Sequence, residues 1–351
     1  MSLYYIAILI AIVASIKWRR SDSIEEDFLD RSETSVINGV CILLVFVGHI
    51  DYYFLSKVGY VYDGFADIYY LWCNAHLHQL HVVPFLFFSG YGVTESIGRR
   101  VGYVSGMFKT RILATWLNYA IAVGVFAVAN IVLCTGIPVV RMFATLTCFQ
   151  GIGNPTWYIF CILSCYLASF VAAKVSARFS LGRTGGVFVL SLLLLGYYFF
   201  ALKFGRHSGW YNTSWAYLAG CFLSVFKNSA LRFARAYYYP LLVATFASFV
   251  VFYLFGSDRF ALANNCAGVS MMCVILLATM KIRLDSRFLR FMGAGVYPIY
   301  LYHTLLFLIV RNVVSSTIGS IAAHMIIMAS FGMSIVVASQ WRRIAITLKA
   351  G

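Results

Sequence analysis

VINGVCILLVFVGHIDYYFL, residues Val36 to Leu55, is the stretch that decides the fold of this chain. It is long enough to cross a bilayer as a helix. The one titratable side chain in its apolar interior is that of His49. A rise of about 1.5 Å per residue places His49 roughly 20 Å from Val36, past the middle of a hydrocarbon layer about 30 Å thick. Ionisable groups at that depth are costly unless they face a bundle interior or a water-filled cavity. We therefore predict that His49 is functional, as a catalytic base.

The composition indicates a polytopic membrane protein. Of 351 residues, 62% are hydrophobic and 11% are charged, and the mean hydropathy is +0.83. No soluble globular class has that balance. We expect an all-α fold, a transmembrane helix bundle of about eleven spans.

Apolar runs of helical length define the eleven expected spans. They are Ser2 to Ile16, Val36 to Leu55, His76 to Ile97, Ile112 to Cys134, Trp157 to Ala173, Gly185 to Leu202, Tyr211 to Phe226, Pro240 to Phe255, Ala261 to Met280, Met292 to Val310 and Thr317 to Gln340. The first run is short and has no cleavage signal after it, so we interpret it as an anchor helix whose N-terminus lies outside.

The positive charge follows this topology. The formal net charge is +15, and 21 of the 27 Lys and Arg residues fall on the connections expected in the cytoplasm. That distribution fits the positive-inside rule and accounts for the charge without a nucleic-acid partner. The expected organisation is an anchor helix and cytoplasmic linker over 1–34, a membrane domain over 35–343 and a cytoplasmic tail over 344–351.

Several short motifs occur at the ends of these spans. Asn38-Gly39 precedes His49, VVPFLFFSGYG runs from Val82 to Gly92, and MFKTRIL carries Arg111. NPTWYIFCIL begins at Asn154, and GAGVYPIYLYHTLLF begins at Gly293. In this order and spacing, from about Ser35 to Arg343, they resemble the acyltransferase 3 family, the membrane-bound O-acyltransferases of bacterial surface polysaccharides.

The resemblance implies roles for particular residues. His49 matches the family's catalytic histidine, and Arg111 matches a basic residue before the next helix. Phe88 to Tyr91, with Ser89, resembles its Phe-x-Ser-Gly-Tyr segment, Trp157 its Trp-Phe-like pair, and Tyr300 to His303 its Tyr-Leu-x-His element. The family commonly has an Arg where this chain has Asn38, and Arg31, Arg99, Arg100 or Arg111 are the candidate substitutes.

Two histidines are expected at one depth, independently of the family. His49 lies thirteen residues into a span that starts in the cytoplasm, and His303 lies eleven residues into another. Their depths then differ by about 3 Å, so both are candidate catalytic residues that face one cavity. The alternative for each is a hydrogen-bonded structural histidine. A neutral imidazole is the cheaper form in low dielectric and suits removal of a hydroxyl proton.

A basic cluster on one cytoplasmic connection is expected to bind the acyl donor. Arg99, Arg100, Lys109 and Arg111 suit the phosphates of acetyl-CoA, which we expect as the donor substrate. The topology rule alone also places basic residues there. Glu95, four residues before Arg99, either pairs with it or holds a catalytic proton.

The remaining candidates concern substrate binding and a possible metal site. Ser89, Tyr91, Asn154, Trp157 and Tyr300 are candidate substrate-binding residues. His76, His78 and His81 are expected to be interfacial polar residues rather than a metal site, because no carboxylate or thiol is placed to complete one. No metal is expected.

The resulting hypothesis is an integral O-acetyltransferase of the bacterial cytoplasmic (inner) membrane, in contact with membrane lipid. It would acetylate a hydroxyl of a cell-surface or exported glycan, alone or with separate polysaccharide-synthesis machinery. One alternative is an exporter or flippase of a polysaccharide or lipid-linked sugar, with His49 and His303 as proton-relay groups. Another is a structural subunit of a polysaccharide-synthesis complex.

Overall fold

Long apolar runs of the chain fold into helices. The computed structural model describes residues 1–19, 30–77, 79–206, 208–255, 261–314 and 317–346. In chain order its α-helices are α1 (Leu3–Ser15), α2 (Arg31–Tyr53), α3 (Gly64–Leu77), α4 (Val83–Arg99), α5 (Tyr103–Met107), α6 (Ala114–Val132), α7 (Val139–Thr145), α8 (Trp157–Arg178), α9 (Gly182–Lys203), α10 (Ser214–Ala236), α11 (Tyr238–Val250), α12 (Ala261–Lys281), α13 (Arg287–Ala294), α14 (Val296–Tyr302), α15 (Leu305–Val313) and α16 (Ser320–Ile344).

Shorter helical turns complete several of these elements. Phe108–Leu113 and Val251–Phe255 are π-helical turns that join α5 to α6 and extend α11. Leu80–Val82, a 3₁₀ turn, leads into α4. A second 3₁₀ turn, Ser208–Trp210, precedes α10.

The polytopic all-α prediction is confirmed. Within the described residues, eight helical segments are long and apolar enough to cross a membrane. They are Arg31–Lys57, Tyr103–Val132, Trp157–Arg178, Gly182–Lys203, Tyr238–Phe255, Leu262–Lys281, Val296–Val313 and Ser320–Trp341. The chain is a multi-pass membrane protein.

The other three expected spans are also helices, with features that set them apart. α1 has 13 residues and α4 has 17. α10 has 23 residues, and its helical geometry breaks at Phe226. The expected start of the third span at His76 is wrong, because His76 belongs to α3 and α4 begins at Val83. Pro84 lies in the first turn of α4, where its missing N–H costs no helical hydrogen bond.

α2 begins earlier than its apolar run. The Asp30 side chain accepts a hydrogen bond from the Glu33 backbone N–H at 2.6 Å and caps the helix. An earlier start adds more than a turn of polar helix at this end. The linker expected before it falls largely on residues 20–29, outside the described residues, as does most of the tail expected after 344.

A short sheet joins two helix ends that the sequence did not pair. β1 (Ile16–Trp18) and β2 (Ile282–Leu284) are antiparallel, with Lys17 opposite Arg283. β1 follows α1 and β2 follows α12, so this sheet ties the N-terminal helix to the bundle at the end that the basic residues predict to be cytoplasmic.

Glycines allow two helix pairs to meet backbone to backbone. A Cβ on Gly39 of α2 would lie 1.9 Å from the Leu289 carbonyl oxygen, and one on Gly293 of α13 would lie 1.7 Å from the Ser35 oxygen. Small residues permit such close approach of helices in membranes. The helix that carries His49 is thereby held against the segment that leads to His303.

The same arrangement joins α4 to α10. A Cβ on Gly90 would lie 2.0 Å from the Tyr217 carbonyl oxygen, and one on Gly220 would lie 2.0 Å from the Phe87 oxygen. Gly90, which belongs to the Ser-Gly-Tyr motif, therefore packs one helix closely on another.

Candidate active site

The structure brings His49 and His303 into contact. Nδ1 of His49 lies 2.7 Å from Nε2 of His303, within a hydrogen bond. Their rings are nearly parallel, at 12°, with centroids 4.9 Å apart. His303 is completely buried and His49 is half-buried. The matched depths expected from the sequence are therefore realised as direct contact.

The surroundings of His303 determine which nitrogens carry protons. Nδ1 of His303 lies 3.0 Å from the carbonyl oxygens of Ile299 and Tyr300, which accept hydrogen bonds. In the neutral ring the proton therefore resides on Nδ1, and Nε2 is an acceptor. Nδ1 of His49 must then be the donor to it. The lone pair of a neutral His49 is left on Nε2, as a general base requires.

A third helix supports this pair. Ser330 of α16 is fully buried, and its hydroxyl donates to the backbone oxygen of His303 at 2.7 Å. Neighbouring Ser334 is equally buried and donates to the Ser330 oxygen. Sequence reasoning missed both, although two serines four residues apart in an apolar span signal a polar helix face.

Aromatic rings surround the histidines. The Tyr53 ring lies edge-on to His49 at 5.1 Å between centroids, and the Tyr300 ring lies 6.4 Å from it. Tyr158, on α8, lies 5.1 Å from Tyr300. Trp157 packs edge-on to Tyr158 at 6.3 Å. Tyr300 is thus in the same cluster as the histidines. Trp157 contacts Tyr158, which in turn contacts Tyr300.

The remaining predicted substrate-binding residues lie on α4 and on the loop before α8, and that loop accepts a hydrogen bond at the Gly153 carbonyl from Thr304, next to His303. Ser89 and Tyr91 are half-buried on α4, on either side of Gly90. Asn154 is buried, and its side chain accepts from the Ile152 backbone N–H and donates to the Tyr119 hydroxyl. Asn154 therefore stabilises its own loop. Substrate binding by these residues stays a prediction.

Glu95 lies in an ion-pair cluster at the far end of α4. Its carboxylate is 2.6 Å from Arg99 and 3.5 Å from Arg183 of α9, and it accepts from the Ser224 hydroxyl at 2.8 Å. From Val83 to Glu95 the helix rises about 18 Å. Glu95 therefore forms the ion pair with Arg99 that the sequence suggested. The structure does not bring Glu95 to the histidine pair.

One of the four predicted donor-binding residues, Arg99, belongs to this cluster. Arg99, Arg100, Lys109 and Arg111 are exposed, and the Arg111 guanidinium donates to the Tyr103 hydroxyl at 3.2 Å. A cavity of about 530 Å³ lies between α4, α8 and α9, and its lining residues include Thr94, Ser176 and Arg183, the second partner of Glu95.

Asn38 stands where the family commonly has an arginine. It is half-buried, and its Oδ1 has no hydrogen-bond partner among the described residues. Arg31, one of the candidate substitutes, precedes it by seven residues, which is close to two helical turns and so on the same face of α2.

The described histidines of the expected interfacial trio do not meet. His76 stacks on Trp72, with ring centroids 4.5 Å apart. The ring of His81 lies about 3.5 Å from the point where a Gly48 Cβ would be, so His81 faces α2 beside His49. His78 lies outside the described residues. In the part of the chain that the structure describes, no three His, Cys, Asp or Glu side chains are grouped as metal ligands.

The sequence matches one protein family. The profile described as an acyltransferase domain, that of acyltransferase 3, matches residues 35–339. No curated protein matches the chain, and no solved structure does. The matched range contains both histidines and the basic cluster, and it covers all or nearly all of every expected span after the first.

Proposed function

This chain belongs to the acyltransferase 3 family and is a membrane acyltransferase, and we propose on that premise that it transfers acetyl from acetyl-CoA to a glycan hydroxyl. The observation that carries the proposal is the hydrogen bond of 2.7 Å between Nδ1 of His49 and Nε2 of His303. It leaves His49 Nε2 as the proton acceptor.

The proposed reaction is one acyl transfer. Nε2 of His49 takes the hydroxyl proton as the oxygen attacks the thioester carbonyl carbon, giving a tetrahedral oxyanion. Positive charge develops on His49, and its Nδ1–H bond to His303 Nε2 strengthens accordingly. Collapse of the oxyanion breaks the carbon–sulfur bond, and the departing thiolate takes the proton from His49. The products are an ester and a thiol, and both histidines return to their starting state.

His303 is a positioning residue in this scheme. Its own Nδ1 proton is held by two backbone carbonyls, and its backbone oxygen is held by Ser330. These bonds orient the ring so that Nε2 accepts from His49. The same logic operates where a buried acceptor fixes the tautomer of a catalytic histidine.

Donor binding is proposed at the end of the molecule that carries Glu95. Arg99, Arg100, Lys109 and Arg111 are exposed there, where cationic side chains suit the phosphates of acetyl-CoA. The adjoining cavity between α4, α8 and α9 has room for part of the donor. The charge asymmetry between connections predicts that this end is cytoplasmic, where acetyl-CoA is made.

The acceptor is proposed to approach from the opposite end. His49 lies in the last two turns of α2, which ends at Tyr53, so a hydroxyl from the outer side has the shorter path to it. Ser89, Tyr91, Asn154, Trp157 and Tyr300 remain the proposed substrate-binding residues. The setting we propose is a bacterial inner membrane, with a surface polysaccharide as acceptor and its synthesis machinery as possible partner.

Label transfer tests this proposal. Purified protein receives acetyl-CoA labelled in the acetyl group, together with glycan from the surface of the host cells. We expect label in an alkali-labile ester on the glycan, with one thiol released for each ester. His324→Ala is a matched control, since His324 lies on α16 and bonds to Tyr4. Movement of glycan across vesicles without thioester cleavage would instead support the exporter.

A further inference from the structure

A second cavity is lined by none of the residues of the histidine pair or of the basic cluster. Its volume is about 430 Å³, within the range of small-molecule sites. It lies between the end of α3, the start of α4 and the turn before α10. The turn that extends α11 and the start of α12 complete it. Its polar wall includes Gln79, Ser208, Asn212, Thr213 and Asn264.

The lining is polar and carries no strong charge. Among the described residues that line it, none is Asp, Glu, Lys or Arg, and its one histidine is His76, which stacks on Trp72. Carboxamides and hydroxyls supply both donors and acceptors, while Tyr253, Leu80 and Val83 supply an apolar wall. This mixture suits a neutral polyhydroxyl compound with apolar ring faces. The described lining offers no Lys or Arg side chain for a phosphate, a nucleotide or an acidic sugar.

Two residues that line this cavity carry buried polar atoms that lack partners among the described residues. Asn212 is 1% exposed and Thr213 is 2% exposed, and the Oδ1 of the first and the Oγ1 of the second make no hydrogen bond with any residue that the structure describes. Thr213 precedes α10, yet its hydroxyl does not cap that helix. Buried groups of this kind are uncommon and destabilise a fold by about 1–3 kcal/mol each. They are explained if a ligand satisfies them.

The surrounding bonds hold these atoms in place. The Asn212 amide nitrogen donates to Gln79 Oε1 at 2.9 Å, and Gln79 donates to the Ser208 hydroxyl at 2.6 Å. With its nitrogen engaged, Asn212 has its Oδ1 as the remaining acceptor. The loop before α10 is thereby tied to the turn before α4, and the cavity is built before any ligand arrives.

The cavity borders the turn that faces the histidine pair. Leu80 and Val83 line it, while His81, between them, lies against Gly48, the residue before His49. A ligand here is therefore separated from the reacting centre by one turn of chain. The connections that form this cavity are also those that the charge distribution predicts to lie outside.

We propose that this cavity is an accessory saccharide site, which binds an uncharged segment of the acceptor glycan at a distance from the hydroxyl that reacts. That the saccharide belongs to the acceptor rests on the proposed function. The ligand class rests on the lining and on Asn212 and Thr213 alone.

Equilibrium binding without acetyl-CoA tests the assignment. The probes are the neutral and the acidic oligosaccharide fractions released from the host's surface glycan, titrated into the purified full chain in detergent. We expect the neutral fraction to bind more tightly than the acidic one. Thr213→Val should weaken neutral binding by about fivefold, the effect of one hydrogen bond, and Thr213→Ser should retain it.

Thermal unfolding separates this role from a structural one. Thr213→Val removes a hydroxyl that has no partner among the described residues, so the unfolding midpoint of the variant should stay the same or rise, whereas loss of a structural bond would lower it. Thr245→Val is the matched control, since Thr245 bonds to Leu241 within α11, and its saccharide binding should not change. Equal saccharide binding by Thr213→Val and the parent, no neutral binding, or a preference for the acidic fraction overturns the proposal.

The transfer assay distinguishes the two proposals. Acetyl transfer with an acceptor KM that Thr213→Val leaves unchanged, along with unchanged binding, overturns the accessory site and leaves the transferase standing. Saccharide binding that depends on Thr213, without any acetyl transfer, overturns the proposed transfer to glycan and leaves the site standing.

Discussion

Replacement of His303 by leucine tests the histidine pair. The substitution removes the acceptor of the His49 Nδ1–H bond at 2.7 Å while it keeps most of the buried volume. A hydrogen bond to a charged group contributes about 1.5–3 kcal/mol, and His49 is charged only as the proton is taken. At about 1.4 kcal/mol per factor of ten, turnover should fall about 10- to 150-fold.

The assay is acceptor-dependent thiol release at saturating donor and acceptor. The effect should appear in kcat, with little change in the KM for acetyl-CoA, because the bond strengthens mainly in the transition state. The fold should tolerate the change: the Ile299 carbonyl keeps its backbone bond from the His303 N–H at 3.0 Å, and leucine suits an apolar site. Thermal unfolding of the His303→Leu variant checks that the fold is retained.

A double variant makes the test stricter. If His303 acts only through His49, adding His303→Leu to His49→Ala should cause no further loss, because residues that act as a unit are non-additive. A His303→Leu enzyme with full turnover, or independent losses that multiply in the double variant, would refute the reasoning.

Two further predictions concern the fold. Gly90→Ala should destabilise the protein by about 1–3 kcal/mol, because the new methyl would lie 2.0 Å from the Tyr217 backbone oxygen. Gly92→Ala is the control and should not destabilise the protein, because a Cβ there meets nothing within 4 Å. Equal unfolding midpoints of the two variants would contradict this account. Bonds from Lys17 and Arg290 lower the pKa of Asp285, so its contribution to stability is present above the ordinary Asp range, near pH 4, and is lost as pH falls through the lowered folded value. Asp285→Asn should therefore unfold with a smaller dependence on pH in acid than the parent, and an identical dependence would contradict the assignment.

Much of the fold follows from local sequence. Each of the eleven expected spans overlaps one helix or a run of consecutive helices, because long apolar runs leave few alternatives in a membrane. The sequence did not predict the exact ends of the helices or the two short strands. α2 begins at Arg31 because Asp30 caps it, and β1 pairs with β2 across some 265 positions of sequence. Such pairing depends on tertiary packing that apolar periodicity does not encode.

The part of the site that depends only on depth in the membrane could be predicted from the sequence. His49 and His303 were expected at one level because both lie a similar number of residues into spans of the same direction, and they are hydrogen-bonded. Ser330 and the cavity beside Thr213 were not expected. Their positions depend on which helix faces which neighbour, and a single sequence carries little information on that rotation.

Turnover by His49→Gln tests the central claim most directly. Glutamine retains an amide N–H that can donate to His303 Nε2, but it cannot take a proton from a hydroxyl. With folding verified by thermal unfolding, acceptor-dependent release of thiol from acetyl-CoA should fall about 10²- to 10⁴-fold, the range for loss of a general base. Turnover near that of the parent would show that another group takes the proton and would contradict the account.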